Sequence, residues 1–249
     1  MRVNSESIMN KNHFSQKIRK RAILALLVFF CFLGHITAAQ AWHDETHLAV
    51  AKAGGYPKWY NAAGPDIAKI KAGFTEDRNH YSDNRGIEKV TFEIVLEQVN
   101  RYNNPDDLAG HLYGAIIASL RAYATSQKEG KYPQYHLAYC GHYLGDLSQP
   151  LHNASHNGSK KINHGVNDGI VEDEVTRNID KIEKNMYQIT LRNEHFEEDL
   201  AKEIARIANL TRELNSKLQK GDRNMSKEEA YRQLGHSASL FKSVLNCLK

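Results

Sequence analysis

Two imidazoles and a carboxylate fall within eleven residues of this chain, in His142-Tyr-Leu-Gly-Asp-Leu-Ser-Gln-Pro-Leu-His152. On a helix, His142 and Asp146 stand four apart and project from one face, close enough to share a metal ion. Pro150 removes a backbone donor and bends the chain, which can swing His152 toward the same cavity. Most single His-x-x-x-Asp pairs are hydrogen bonds and not ligands, but His164 and Asp168 repeat the spacing twelve residues after His152. The two pairs with His152 give five potential ligands within the 27 positions from 142 to 168, which makes a metal site the better explanation, and that donor chemistry suits zinc.

The N-terminus points to export. Lys11, Lys17, Arg19, Lys20 and Arg21 lead into twelve apolar residues, Ala22 to Leu33, and Ala39-Gln40-Ala41 carries the small-x-small pattern of a signal-peptidase site. The apolar run is short of the ~20 residues of a membrane span. Residues 1–41 are therefore expected to be a signal peptide, with the mature chain secreted or periplasmic and starting at Trp42. A free α-amine there, with an ordinary pKa of about 7.7 to 8.0, competes well for metal, and the Trp42 carbonyl could chelate the same ion. His47 follows five residues later, in a stretch from Asp44 to Ala51 that reads as the first turns of a helix.

Composition excludes some partners. The net charge of +4 belongs to the whole chain; without residues 1–41 there remain 27 basic and 28 acidic residues. Binding of nucleic acid or of an anionic membrane by bulk charge is not expected. The 208 residues from 42 to 249 suffice for one domain with a substantial core, and no linker divides them. Cys140 and Cys247 would remain after export, either as a disulfide or as two separate thiols.

The elements that must position these groups read as helices throughout, an all-α single domain. Residues 171–220 contain neither Gly nor Pro, and Leu200 to Leu210 spaces apolar residues by three and four. Asn104-Pro-Asp-Asp107 has the N-cap, first-position proline and first-turn acids of a helix start. Ser226-Lys-Glu-Glu229 is a capping box before the last helix. Gly54-Gly55-Tyr56-Pro57 ends the first one, and residues 56–84 read as a connection of loops or short helices. Within it, Asp66 taken singly is a turn or cap residue and His80 a loop histidine. His156 is read as a solvated loop residue, His111 and His136 as packed or surface groups, and His43 as a neighbour of a ligand at most.

Taken together, Trp42, His47, the Asp66 and His80 pair, His142-Tyr-Leu-Gly-Asp146 with Gln149-Pro-Leu-His152, and His164-x-x-x-Asp168 resemble the zinc-dependent phospholipases C of bacteria, whose superfamily includes the S1/P1 nucleases. The resemblance spans residues 42 to about 168. It implies an all-α domain holding three zinc ions at the base of a cleft: one on Asp66, His80, His142 and Asp146; a second on the Trp42 amine and carbonyl, His47 and a bridging Asp146; a third on His152, His164 and Asp168. Relatives of the phospholipase branch often have Glu where Asp168 stands.

The chemistry implied is phosphodiester hydrolysis. Clustered zinc ions neutralise the anionic phosphate, lower the pKa of a bound water and stabilise the leaving alkoxide. Asp66 is the expected catalytic carboxylate, orienting the water or accepting its proton. His142-Tyr-Leu-Gly-Asp and Gly64-Pro-Asp66 resemble the phospholipase branch, so the expected substrate is a phospholipid, cleaved to diacylglycerol and a phosphorylated head group with transient contact to a membrane surface. The short spacing from Trp42 to His47 is closer to the nucleases, so a single-strand nuclease is the alternative. A non-catalytic exported zinc-binding protein is the third reading.

Overall fold

Eleven of the seventeen residues of α5 (Leu112–Lys128) and ten of the fourteen of α6 (Gln134–Leu147) are buried, far more than one apolar stripe requires. Helices of that kind belong in the middle of a bundle. A short turn with Gly130 at φ 67° joins them, and they pack along one another. The computed structural model describes residues 42–153 and 163–249, all within one compact unit, Gln40–Lys249. The expected signal peptide with its cleavage point, and His156, lie outside the described residues.

Around α6 are arranged α1 (Asp44–Ala53), α2 (Gly64–Ala72), the long α9 (Phe196–Gly221) and α10 (Lys227–Cys247). Shorter helices α3 (Phe74–Asp77), α4 (Phe92–Gln98), α7 (His164–Asp168) and α8 (Ile179–Lys184), with 3-10 turns such as Pro150–Asn153, complete the fold. No strand occurs among the described residues, so the all-α expectation holds. None of the helices there is long and apolar enough to cross a membrane.

Two glycines of α6 let its neighbours close in. A Cβ on Gly141 would lie 2.7 Å from the Phe241 ring of α10, and one on Gly145 would lie 2.6 Å from His47 Nδ1 of α1. Both are far inside normal contact, so these backbone approaches require the missing side chain. One core cluster centres on α5, α6 and α9; a second gathers Trp42, Val50, Val171, Ile182, Leu218 and Leu234. The Trp42 indole thus anchors the chain just before α1.

Local signals succeed at most ends. The capping box of Ser226 and Glu229 is formed, and α1 ends at Gly54-Gly55, with Gly55 at φ 83°. Asn104–Asp107 is a correction: no helix opens there. Asn104 Oδ1 accepts from the Asp106 amide in a local turn, and Gly110 takes φ 70°. Asp107 turns its carboxylate to His111 and Arg101, and α5 starts only at Leu112. Cys140 and Cys247 are both thiols; Cys140 is buried, and the Cys247 thiol donates to the Leu191 carbonyl.

Candidate metal centre

Helix α6 buries His142 and Asp146 completely, one turn apart, with 3.4 Å between His142 Nε2 and Asp146 Oδ2. Helix α1 adds His47, whose ring stacks on that of His142 at 3.6 Å between centroids. The first turn of α2 supplies Asp66, and the turn after α3 supplies His80. His80 Nδ1 is 2.9 Å from Asp146 Oδ2 and 3.8 Å from Asp66 Oδ1; His142 Nε2 is 3.7 Å from the same Asp66 oxygen. His152 on the 3-10 turn and His164 with Asp168 on α7 meet alongside, the two imidazole rings 5.1 Å apart and edge to face.

Every predicted side-chain ligand is brought into one region. Three groups of donor atoms could each hold an ion: His47, His142 and Asp146; Asp66, His80 and His142; His152, His164 and Asp168. The third is the trio that the resemblance implies. In the first two, His142 stands in both, while Asp146 directs Oδ1 toward His47 and His152 and Oδ2 toward His80 and His142. Trp42 lies beside this region, fully buried, with its backbone near the His47 ring.

Hydrogen bonds fix which nitrogens face the centre. His142 Nδ1 is 2.7 Å from the Ala62 carbonyl, and His152 Nδ1 is 2.6 Å from the His80 carbonyl. A carbonyl only accepts, so both rings carry their proton on Nδ1 and turn a bare Nε2 inward. His80 is held between two carboxylates, with Nε2 3.2 Å from Glu76 Oε1 and Nδ1 2.9 Å from Asp146 Oδ2. The bare His142 Nε2 then faces Asp146 Oδ2 at 3.4 Å and Asp66 Oδ1 at 3.7 Å, with His80 Nδ1 at 3.2 Å. Lone pairs at such separations repel unless a proton or a cation lies among them.

Other buried atoms ask for the same thing. Both ring nitrogens of His47, Asp146 Oδ1 and Asp168 Oδ2 are buried with no hydrogen-bond partner. Such atoms cost free energy in a folded chain and call for a ligand. Burial holds His47, His80, His142 and His152 well below the ordinary histidine pKa, the neutral form that ligates metal. It also pushes the Asp146 carboxyl far above the carboxylate range, with Asp66 adding to the effect, and Asp168 up to about 9. Neutral imidazoles, buried carboxylates and orphaned lone pairs together fit divalent cations.

Two participants were not singled out from the sequence. Lys69 places Nζ 2.7 Å from Asp66 Oδ1, and its positive charge acts on His47, His80, His142, His152, Asp146 and Asp168. Its i, i+3 spacing from Asp66 on α2 was the available signal. Glu76, buried, binds His80 through Oε1 and accepts from the Tyr143 hydroxyl at 2.7 Å and from Asn79 at 3.3 Å. Asn79 Oδ1 in turn receives His111 Nε2 at 2.8 Å, so the support of His80 extends two further residues outward. Carboxylates that orient ligating imidazoles in this way are a recurrent part of metal sites.

No family model matches the chain, and neither a curated protein nor a solved structure does.

Proposed function

We propose that this chain is an exported zinc-dependent phosphodiester hydrolase of the phospholipase C kind. The observation that carries the reading is the meeting of three His/Asp groups from distant segments, with the two Asp146 oxygens divided between neighbouring groups. Imidazole and carboxylate donors without thiolate favour zinc, and the resemblance implies three ions, with the Trp42 amine completing the His47 set once residues 1–41 are removed. When bound, zinc supplies the positive charge that neutralises phosphate oxygens, acidifies water and stabilises a leaving alkoxide.

The chain's own residues do the rest. Asp66 is the partly exposed carboxylate of its group, at 18% against 0% for Asp146, so it is placed to orient an attacking water and take its proton. Lys69, beside it, can hold a non-bridging phosphate oxygen by a charge-assisted hydrogen bond. Burial keeps His80, His142 and His152 as neutral donors, and Ala62, His80 and Glu76 hold their rings in place. Attack at phosphorus displaces the alcohol and yields a phosphomonoester.

Phospholipid is the first choice of substrate because aliphatic side chains stand exposed on the helix that carries Asp66. Single-stranded nucleic acid is the second, favoured by the five-residue step from Trp42 to His47. The test is the processed protein with its zinc counted, assayed on phosphatidylcholine and on single-stranded DNA. Lipid cleavage alone is the expected result; DNA cleavage alone selects the nuclease, and neither activity at full zinc occupancy selects a non-catalytic zinc-binding protein.

A further inference from the structure

Helix α2 is turned inside out. Asp66 and Lys69 face the metal centre, while Ile67, Ile70 and Phe74, at spacings of three and four, point outward with 60%, 84% and 65% exposure. Only Pro65 of the helix is buried. A helix on a water-soluble surface ordinarily does the reverse. Six of the ten exposed large apolar or aromatic side chains among the described residues lie in two stretches: Tyr60, Ile67, Ile70 and Phe74, with Tyr132 and Tyr135. The stretches adjoin, because Tyr139 lies over Gly64 and packs on Tyr135, and Lys58 Nζ reaches the Tyr132 hydroxyl at 2.5 Å.

On this face Asp66 is drawn in toward Lys69, Glu76 is buried and Asp77 engages Arg78, while Lys71 is exposed and the half-buried Lys58 sets its ammonium against Tyr132. Aliphatic groups for an acyl layer, tyrosines at its boundary and lysines for phosphates are the composition of an interfacial membrane contact. Isoleucine neither stacks on bases nor hydrogen-bonds to them, so single-stranded nucleic acid would gain little from the 67 and 70 positions.

We propose that the outer face of α2 and Phe74, with Tyr60, Tyr132 and Tyr135, docks onto a phospholipid surface and delivers head groups to Asp66 on the inner face of the same helix. The delivery half of this statement rests on the phospholipase reading above; the docking half does not. Ile67, Ile70 and Phe74 enter the acyl boundary, and Lys58 and Lys71 lie at the phosphates. The membrane then meets the edge of the site through a single helix.

Depth-dependent fluorescence tests the docking directly. Phe74→Trp is made in the full chain, with Leu210→Trp on α9 as control and the unmodified protein as background. Vesicles of phosphatidylcholine and phosphatidylglycerol with brominated acyl chains should shift Phe74→Trp emission to the blue and quench it, leaving Leu210→Trp unchanged. Whatever residues 1–41 contribute to vesicle attachment, a quencher in the acyl layer reports only the position that enters it. Replacing Ile67, Ile70 and Phe74 together by Ser should lower the ratio of vesicle to dissolved short-chain phosphatidylcholine hydrolysis by about tenfold or more, from the lost apolar burial. An unquenched Phe74→Trp, or equal quenching of Leu210→Trp, overturns the docking face while the hydrolase reading stands. Absence of any phospholipid hydrolysis, with Phe74→Trp quenched, overturns the delivery half and leaves the docking half supported. A blue shift of Phe74→Trp produced by single-stranded DNA, or by raising protein concentration, with vesicles without effect, overturns the proposal in favour of a nucleic-acid face or a second copy of the chain.

Discussion

The two halves of the candidate metal centre are built differently. His47, Asp66, His80, His142 and Asp146 come from α1, α2, the turn after α3 and α6, and four of these five side chains are at most 2% exposed. His152, His164 and Asp168 come from a 3-10 turn and the five-residue α7, and His164 is 32% exposed. The inner half rests mainly on long helices of the core, while the outer half rests on short elements tied in by His152 Nδ1 to the His80 carbonyl and by Gln149 to Asp168. Donors fixed by core packing are preorganised, and any change there is felt by fold and metal together. Donors on short elements can lose an ion with little effect on the fold.

The strongest way to break this contrast is Asp146→Asn. One oxygen of a shared ligand is lost to both inner groups, so zinc content should fall by about two of the three proposed ions, and affinity by more than the 10–100-fold typical of a lost supporting partner. The metal-free protein should be no less stable, because a buried carboxylate has been replaced by a neutral isostere. Elemental analysis with paired melting curves in zinc and in chelator checks both parts; a full zinc complement would refute the bridging role.

Paired glycine substitutions ask whether the core holds the inner half. Gly145→Ala places a methyl 2.6 Å from His47 Nδ1, whereas at Gly165, on α7, the nearest atom is Asn163 Oδ1 at 3.6 Å. The first should cost about 1–3 kcal/mol by overpacking. The second should be neutral or stabilising by up to ~1 kcal/mol. Urea unfolding of both variants decides it, and equal effects would erase the distinction.

A smaller effect is expected from Glu76→Gln, which leaves the shape but replaces a carboxylate oxygen beside His80 Nε2. Zinc affinity of the inner half should fall by about 10–100-fold while the outer ion is retained. A competitive chelator titration resolves the separate steps, and loss of the outer ion first would show that Glu76 does not act through His80.

One pair of donors in each half was legible in the chain itself. The 142/146 and 164/168 spacings follow from the helical period, a local property, and both pairs lie on helices as read. Asp66 and His80 carried no local signal, and their place beside His142 was expected only from resemblance. Gly145, Glu76 and Lys69 escaped notice for a related reason: each matters through a contact with another residue's side chain, and in two of the three the partner lies on the same short stretch but is oriented by the fold. The misread helix start at Asn104–Asp107 is the converse case, in which good local cap chemistry yielded to the Asp107 contacts with His111 and Arg101.

By itself the sequence determined the helical class, the capping of α10, and a set of nitrogen and oxygen donors suited to a divalent cation, because periodicity, capping and ligand type are short-range properties. Only the tertiary structure decided which donors share a group, which nitrogen of His142 and of His152 is bare, and which face of α2 looks outward. Those depend on how α1, α2 and α6 approach one another, and that is set by packing between segments up to about a hundred residues apart.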